Sequence, residues 1–311
     1  MKHRVDITVF ILIIFFLTQA FGLGLLAKEA EIVTTVENNV TIFSVYHGDT
    51  AIGERPQTEG FSSFALIVLV IIISTGLFLL IVKFAKHKIW KTWFFLAVWL
   101  SVTVSLGVFF DVWIAYVLSL MITVYKLSGR SVFVYNIGEI LMYSGIGLIF
   151  SPMFDIFWVF ILLIAISLYD MYAVWKSKHM IKMAEFQRKS KLFAGIAIPY
   201  HEERGALKKM THTTSVASKT SKSKTKLAIL GGGDVVFPLI FAGAVLEFFI
   251  SKQVSLITSY FLALIISIFS LGSLALLFYK SKENKFYPAM PFISAGCFIG
   301  FGMSYLVFLL M

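Results

Sequence analysis

Cysteine, charge and proline are all scarce in this chain. Cys297 is the one cysteine, which excludes an intrachain disulfide and any metal site built from several thiolates. Only 14% of the residues are charged against 59% hydrophobic, and the mean hydropathy is +0.88. That balance lies outside the soluble globular range and indicates several membrane spans. A His-Glu-x-x-His pair, a Gly-x-Ser-x-Gly elbow and a Walker loop are also missing, so zinc-hydrolase, serine-hydrolase and P-loop chemistry have no foothold. The net charge of +10 does not call for nucleic acid, because the basic residues cluster between apolar runs and report topology instead.

What is present is apolar sequence in membrane-length runs. A hydrocarbon core about 30 Å thick needs roughly 17 to 25 helical residues. Nine candidate spans emerge, at residues 7–27, 61–82, 92–109, 111–126, 131–150, 153–175, 227–250, 254–279 and 286–311. The third and fourth could be merged into one helix across Gly107 and Asp111, but charge counting separates them. With nine spans and a cytoplasmic N-terminus, 24 of the 27 Lys and Arg fall inside, leaving only Lys28, Arg55 and Lys252 outside, as the positive-inside rule requires. The expected fold is an all-α membrane protein with nine transmembrane helices, the N-terminus cytoplasmic and the C-terminus outside. The first span starts like a signal peptide but is too long for one and lacks a good cleavage site.

Two water-side segments interrupt the spans. Residues 28–60 carry six acids and the alternating stretch "EIVTTVENNVTIFSVY", which predicts an outside β-hairpin turning at Asn38-Asn39. Asn39 also opens a glycosylation sequon. Residues 176–226 form a basic cytoplasmic loop: "KSKHMIKMAEFQRK" reads as an interfacial helix lying on anionic lipid, and "THTTSVASKTSKSKTK" as a disordered stretch.

Three acids lie well inside apolar helices: Glu139, Asp170 and Asp234. An ionised carboxylate at mid-bilayer costs roughly 2.5 to 3.5 kcal/mol, so such residues serve function and face protein or water. At about 1.5 Å of rise per residue, Asp170 lies about 9 Å from the cytoplasmic end of the sixth span and Asp234 about 12 Å into the seventh. Consecutive antiparallel spans therefore bring two carboxyls to one level. Around Asp234, Pro238 withholds the N–H that would bond the carbonyl of residue 234, and Gly231, Gly232 and Gly233 remove side-chain bulk, which together predict a hydrated notch. Two carboxyls sharing a proton can activate a water and polarise a peptide carbonyl with no metal and no cofactor. Glu139 shares a helical face with Tyr135, Asn136 and Tyr143 and reads as a protonated, hydrogen-bonded packing residue rather than as part of a hydrated path. Gly296-x-x-x-Gly300 reads as a close helix contact.

The acids alone leave open a proton- or cation-coupled transporter or channel, though no inverted repeat supports it. The motifs around them narrow the choice. Tyr169-Asp170 in the sixth span, Gly231-Gly232-Gly233-Asp234 in the seventh and Pro288-Ala289-Met290 opening the ninth resemble the Tyr-Asp, Gly-x-Gly-Asp and Pro-Ala-Leu signatures of the presenilin and signal peptide peptidase family of intramembrane aspartyl proteases. The prepilin-type peptidases also use a Gly-x-Gly-Asp aspartate, but lack the Pro-Ala-Met element and the nine spans. Met290 stands where the family usually has leucine. The mixture of Pro238, as in signal peptide peptidases, with a presenilin-like orientation resembles an archaeal or other prokaryotic homologue.

The resemblance implies an aspartic endopeptidase with Asp170 and Asp234 as the catalytic pair. It also implies that Tyr169, Gly231 and Gly233 shape their setting, with Pro288, Ala289 and Met290 packed beside them. The implied partners are transmembrane peptide substrates and membrane lipid, not nucleic acid. A homo-oligomer is compatible with it, and the expected location is the plasma membrane as a multi-pass protein.

Overall fold

The computed structural model describes residues 5–37, 40–56, 58, 60–84, 86–129, 131–177, 186–187, 195–201, 225–281 and 287–311. Nine α-helices dominate the described residues: α1 (Val5–Glu29), α2 (Phe61–Lys83), α3 (His87–Gly107), α4 (Val112–Leu127), α5 (Val132–Phe150), α6 (Ile156–Tyr172), α7 (Gly233–Ser251), α8 (Leu256–Lys280) and α9 (Met290–Leu310). Eight of them are long and apolar enough to cross a membrane; α4, with 16 residues, is the shorter one. Side-chain caps set several starts by accepting otherwise unpaired first-turn N–H groups. Asp111 takes the Trp113 N–H at 3.3 Å, Asp155 that of Trp158 at 2.9 Å, and Ser255 that of Thr258 at 3.2 Å. The Asp111 cap begins α4 four residues after Gly107 ends α3, so these are two helices.

The boundaries differ from expectation in three places. Helix α3 reaches back to His87, because its first two turns carry Lys88 and Lys91 alongside Trp90 and Trp93, an interfacial pattern that a hydropathy count discards. Helix α9 begins at Met290 rather than at 286. Helix α7 begins at Gly233 rather than at 227: residues up to Gly231 are a β-strand.

Two hairpins accompany the helices. Strands β1 (Glu31–Glu37) and β2 (Val40–Tyr46) pair antiparallel with Glu37 opposite Val40, the hairpin that the alternating sequence predicts; the turn expected at Asn38-Asn39 lies outside the described residues. Strands β3 (Gly195–His201) and β4 (Thr225–Gly231) pair antiparallel with Gly195 opposite Gly231. This second hairpin lies within and just beyond the segment read as a basic loop. The interfacial helix and the low-complexity stretch expected there lie almost entirely outside the described residues.

Helix α7 is the axle of the bundle. It packs on α1, α5, α6, α8 and α9, and most of its side chains are buried. Small residues allow this closeness: a Cβ added at Gly243 would fall 2.7 Å from Leu26 Cδ1 of α1. Gly296 and Gly300 bring α9 equally close to α8, with added Cβ atoms 2.7 Å from the Phe269 carbonyl and 2.7 Å from the Ile266 Cα, the close helix contact that their spacing predicts. Helix α2 is the opposite case, with 17% of its apolar window buried against 72% for α7. At the end of the bundle where α1, α5 and α7 finish, Arg55 binds the Glu29 carboxylate, the Gly48 carbonyl (2.9 Å) and the Leu148 carbonyl, and His47 Nε2 lies 3.1 Å from Glu247 Oε1.

Candidate active site

Asp234 stands at a junction of strand and helix rather than at a break within a helix. β4 runs out at Gly231, the chain turns at Gly232, and the Gly232 carbonyl accepts the N–H groups of Val235 and Val236 at 3.1 and 3.0 Å to start α7. Asp234 therefore occupies the first turn, where unpaired N–H groups and the helix dipole favour a negative group. The Gly231 backbone also hydrogen-bonds its carboxyl. Because extended residues rise about 3.3 Å each instead of 1.5 Å, the helical rise from Lys226 no longer measures the depth of Asp234. Pro238 follows in the next turn of α7, leaving the Asp234 carbonyl without its usual N–H donor. One residue on, α1 reaches in: the buried Gln19 donates from Nε2 to the Val235 carbonyl at 2.7 Å.

Asp170 comes from the last turn of α6, immediately before one π-helical turn, Ala173–Ser177. Such turns concentrate at functional sites. Its Oδ2 accepts the Met290 N–H at 3.1 Å, and the Ala289 backbone also bonds it. The carboxyl thus meets the N-terminus of α9, the end whose free N–H groups suit an anion. Proline marks this start through Pro291 in the first turn, while Pro288 lies ahead of the helix.

The two aspartates line one cavity of about 360 Å³ and lie within electrostatic range of each other. Tyr169, Gly231, Gly233 and Met290 line the same cavity. Ala289 reaches the site through its main chain; Pro288 is buried nearby but is not part of the lining. Tyr169 bonds Thr75 Oγ1 at 3.4 Å. The rest of the lining is unforeseen from the motifs and, Thr75 of α2 apart, apolar: Val68, Ile71 and Ile72 of α2, Ala165, Ile166 and Ala173 around Asp170, and Phe237 beyond Asp234. The polar Ser74-Thr75 step in α2, an interruption in an apolar span, is the one signal that could have pointed to this wall. No group of three or more His, Cys, Asp or Glu able to hold a metal occurs among the described residues.

Glu139 is placed differently from expectation. Its Oε1 lies 2.9 Å from Lys126 Nζ, both side chains fully enclosed. Lys126, counted above with the cytoplasmic charges, instead turns into the bundle from the last turn of α4.

Residues 32–310 match the family described as signal-peptide peptidase, presenilin aspartyl protease. The chain belongs to this family. The family places it among the aspartic endopeptidases that cleave within the membrane. Its fold is similar to that of a presenilin family intramembrane aspartate protease solved in two space groups. In C222 the TM-score is 0.59 at 15% identity, covering 96% of this chain and 99% of that one. In P2 it is 0.60 at 14% identity, covering 96% of each. No curated protein matches the chain. Neither the fold nor the family supports a transporter.

Proposed function

We propose that Asp170 and Asp234 are the catalytic pair of this presenilin-family protease and that its substrates are transmembrane helices or signal-peptide remnants. One observation carries the reading: the two aspartates reach a single cavity from two different helices, Asp170 bonded to the main chain at the N-terminus of α9 and Asp234 to Gly231 at the end of β4. A water between them gives a proton to the ionised carboxylate as its oxygen attacks the scissile carbonyl carbon, while the protonated partner donates to the carbonyl oxygen. Collapse of the resulting gem-diol breaks the C–N bond and returns a proton to the departing amine.

The substrate amide must leave its helix first, since a helical N–H and C=O are already bonded and screened by side chains. β4 supplies a template for the extended form. The outer edge of β3 is closed by α5: Asn136 bonds both the N–H (3.3 Å) and the C=O (3.2 Å) of Ala197, and Tyr135 donates to the Gly195 carbonyl (3.1 Å). Ile229, opposite Ala197, accordingly turns its own N–H and C=O away from β3. A substrate strand added along that side of β4 runs toward Asp234, with main-chain bonds giving affinity and side chains giving specificity. The sparsely packed α2, which forms one wall of the cavity, is the element that a helix entering from lipid meets. The charge distribution supports a cytoplasmic N-terminus and an outside C-terminus, with the basic segment 176–226 on anionic lipid; the plasma membrane is the proposed location.

The test uses purified protein in liposomes with a labelled transmembrane peptide. Asp170→Asn and Asp234→Asn should each lower kcat by at least ~10³-fold with substrate binding retained. Full activity in both variants would refute the assignment.

A further inference from the structure

The buried Lys126–Glu139 pair calls for an explanation that stability does not supply. An enclosed ion pair can usually be exchanged for apolar residues of the same volume without loss, because desolvation cancels the attraction. Yet the bundle is shaped around this pair. Gly138 clears a path for the lysine stem, since a Cβ there would fall 2.7 Å from Lys126 Cδ. The ammonium is roofed by the Phe94 and Tyr135 rings, 5.4 and 5.3 Å from their centroids.

Following α5 one turn onward leads to the active site. Tyr135, Asn136, Glu139 and Tyr143 share a face, and the first two hold β3, as described above. Tyr143 is 2% exposed, and its ring abuts the turn that carries Asp234: a Cβ added at Gly232 would meet Tyr143 Oη at 2.7 Å and Cε1 at 2.8 Å. The tyrosine hydroxyl and Glu139 Oε2 make no hydrogen bond of good geometry among the described residues, but the hydroxyl faces the Glu139 carboxyl within reach of a side-chain hydrogen bond. Both Glu139 and Asp234 act on that hydroxyl electrostatically. A rigid ring with its one polar atom between two acids fixes the turn from behind, and only a compensated Glu139 can orient that atom without leaving a buried charge alone.

We propose that Lys126, Glu139 and Tyr143 form a positioning unit for the protease reaction, in which the ion pair orients Tyr143 and Tyr143, packed on Gly232, holds Asp234 at the working geometry. The inference rests on Asp234 being catalytic. Its residues touch no substrate, so their effect is on turnover through Asp234.

Removing one member of the ion pair strands a buried charge and risks misfolding, so the informative variants are Tyr143→Phe, which deletes a single oxygen, and the matched replacement Lys126→Met with Glu139→Leu. In the liposome assay each should lower kcat roughly tenfold, with KM within about twofold and an unchanged Tm. Combining them should cause no further loss, because members of one unit are not additive. Wild-type kcat in Tyr143→Phe overturns the proposal whether or not the matched replacement folds, and so does a combined variant that loses the product of the two factors. Asp234→Asn in the same assay separates the two claims. If it stays active, the catalytic assignment itself fails; if it is inactive while Tyr143→Phe and the matched replacement are fully active, only the positioning unit fails.

Discussion

Gly231 and Gly233 belong to one motif but face different surroundings. A Cβ at Gly231 would fall 3.1 Å from Asp234 Oδ2, whereas one at Gly233 meets only the Phe237 ring at 3.5 Å, ordinary van der Waals contact. Neither residue has a positive φ, so backbone strain does not separate them and the neighbouring atoms do. Gly231→Ala should therefore push the Asp234 carboxyl out of line and lower kcat by about ten- to a hundredfold, in line with the cost of misplacing a reacting group by a fraction of an ångström or more. Gly233→Ala, at the first helical position of α7, should fold normally and gain up to ~1 kcal/mol from the better helix former. Thermal unfolding and kcat measured on both variants check the contrast. A lower Tm in Gly233→Ala than in Gly231→Ala would contradict it.

At the level of elements, α5 serves as the platform for the β3–β4 hairpin, and Asn136 is its main fastening. The two bonds to Ala197 satisfy a strand edge that would otherwise seek another strand. Asn136→Ala leaves one half-buried donor and one half-buried acceptor of Ala197 unpaired, at about 1–2 kcal/mol. The expected outcome is faster hydrogen exchange in β3 and β4 and a several-fold rise in KM, with exchange in the α8–α9 interface unchanged. These elements also mark where sequence reading succeeds and where it stops. The long helices are legible because an apolar run of membrane length has few alternatives, and β1–β2 is legible because two runs rich in β-branched residues flank the turn-forming Asn38-Asn39. β4 is not, because Leu227 to Leu230 is a short continuous apolar run next to a longer one, and periodicity cannot divide strand from helix in such a run. Its partner β3 lies some thirty residues upstream, across a polar, basic segment, so the pairing exists only in three dimensions. Asp170 and Asp234 stood out as acids in apolar surroundings. Lys126 did not, because a lysine in a helix's last turn normally belongs to water.

Across the whole molecule the two ends of the bundle differ in chemistry. Asp170, Asp234 and the N-terminus of α9 gather at one end, and the Glu29, His47, Arg55 and Glu247 cluster at the other. Glu247 follows Asp234 by thirteen residues along the same helix, about 20 Å at helical rise, so the cluster braces the fold without touching the cavity. Which end faces the cytoplasm decides which substrates fit, and the lone cysteine makes this measurable. Cys297 is buried, so the wild-type chain should react little with a membrane-impermeant maleimide. Ser218→Cys, in the basic segment, and Glu54→Cys, beside Arg55, then act as reporters of the two sides. In intact cells Glu54→Cys should be labelled and Ser218→Cys only after permeabilisation, each at least about tenfold above the wild-type background. The reverse pattern would place the thirteen basic residues of segment 176–226 outside, against the charge bias that governs helix insertion. The aspartate cavity would then open toward the opposite ends of its substrates.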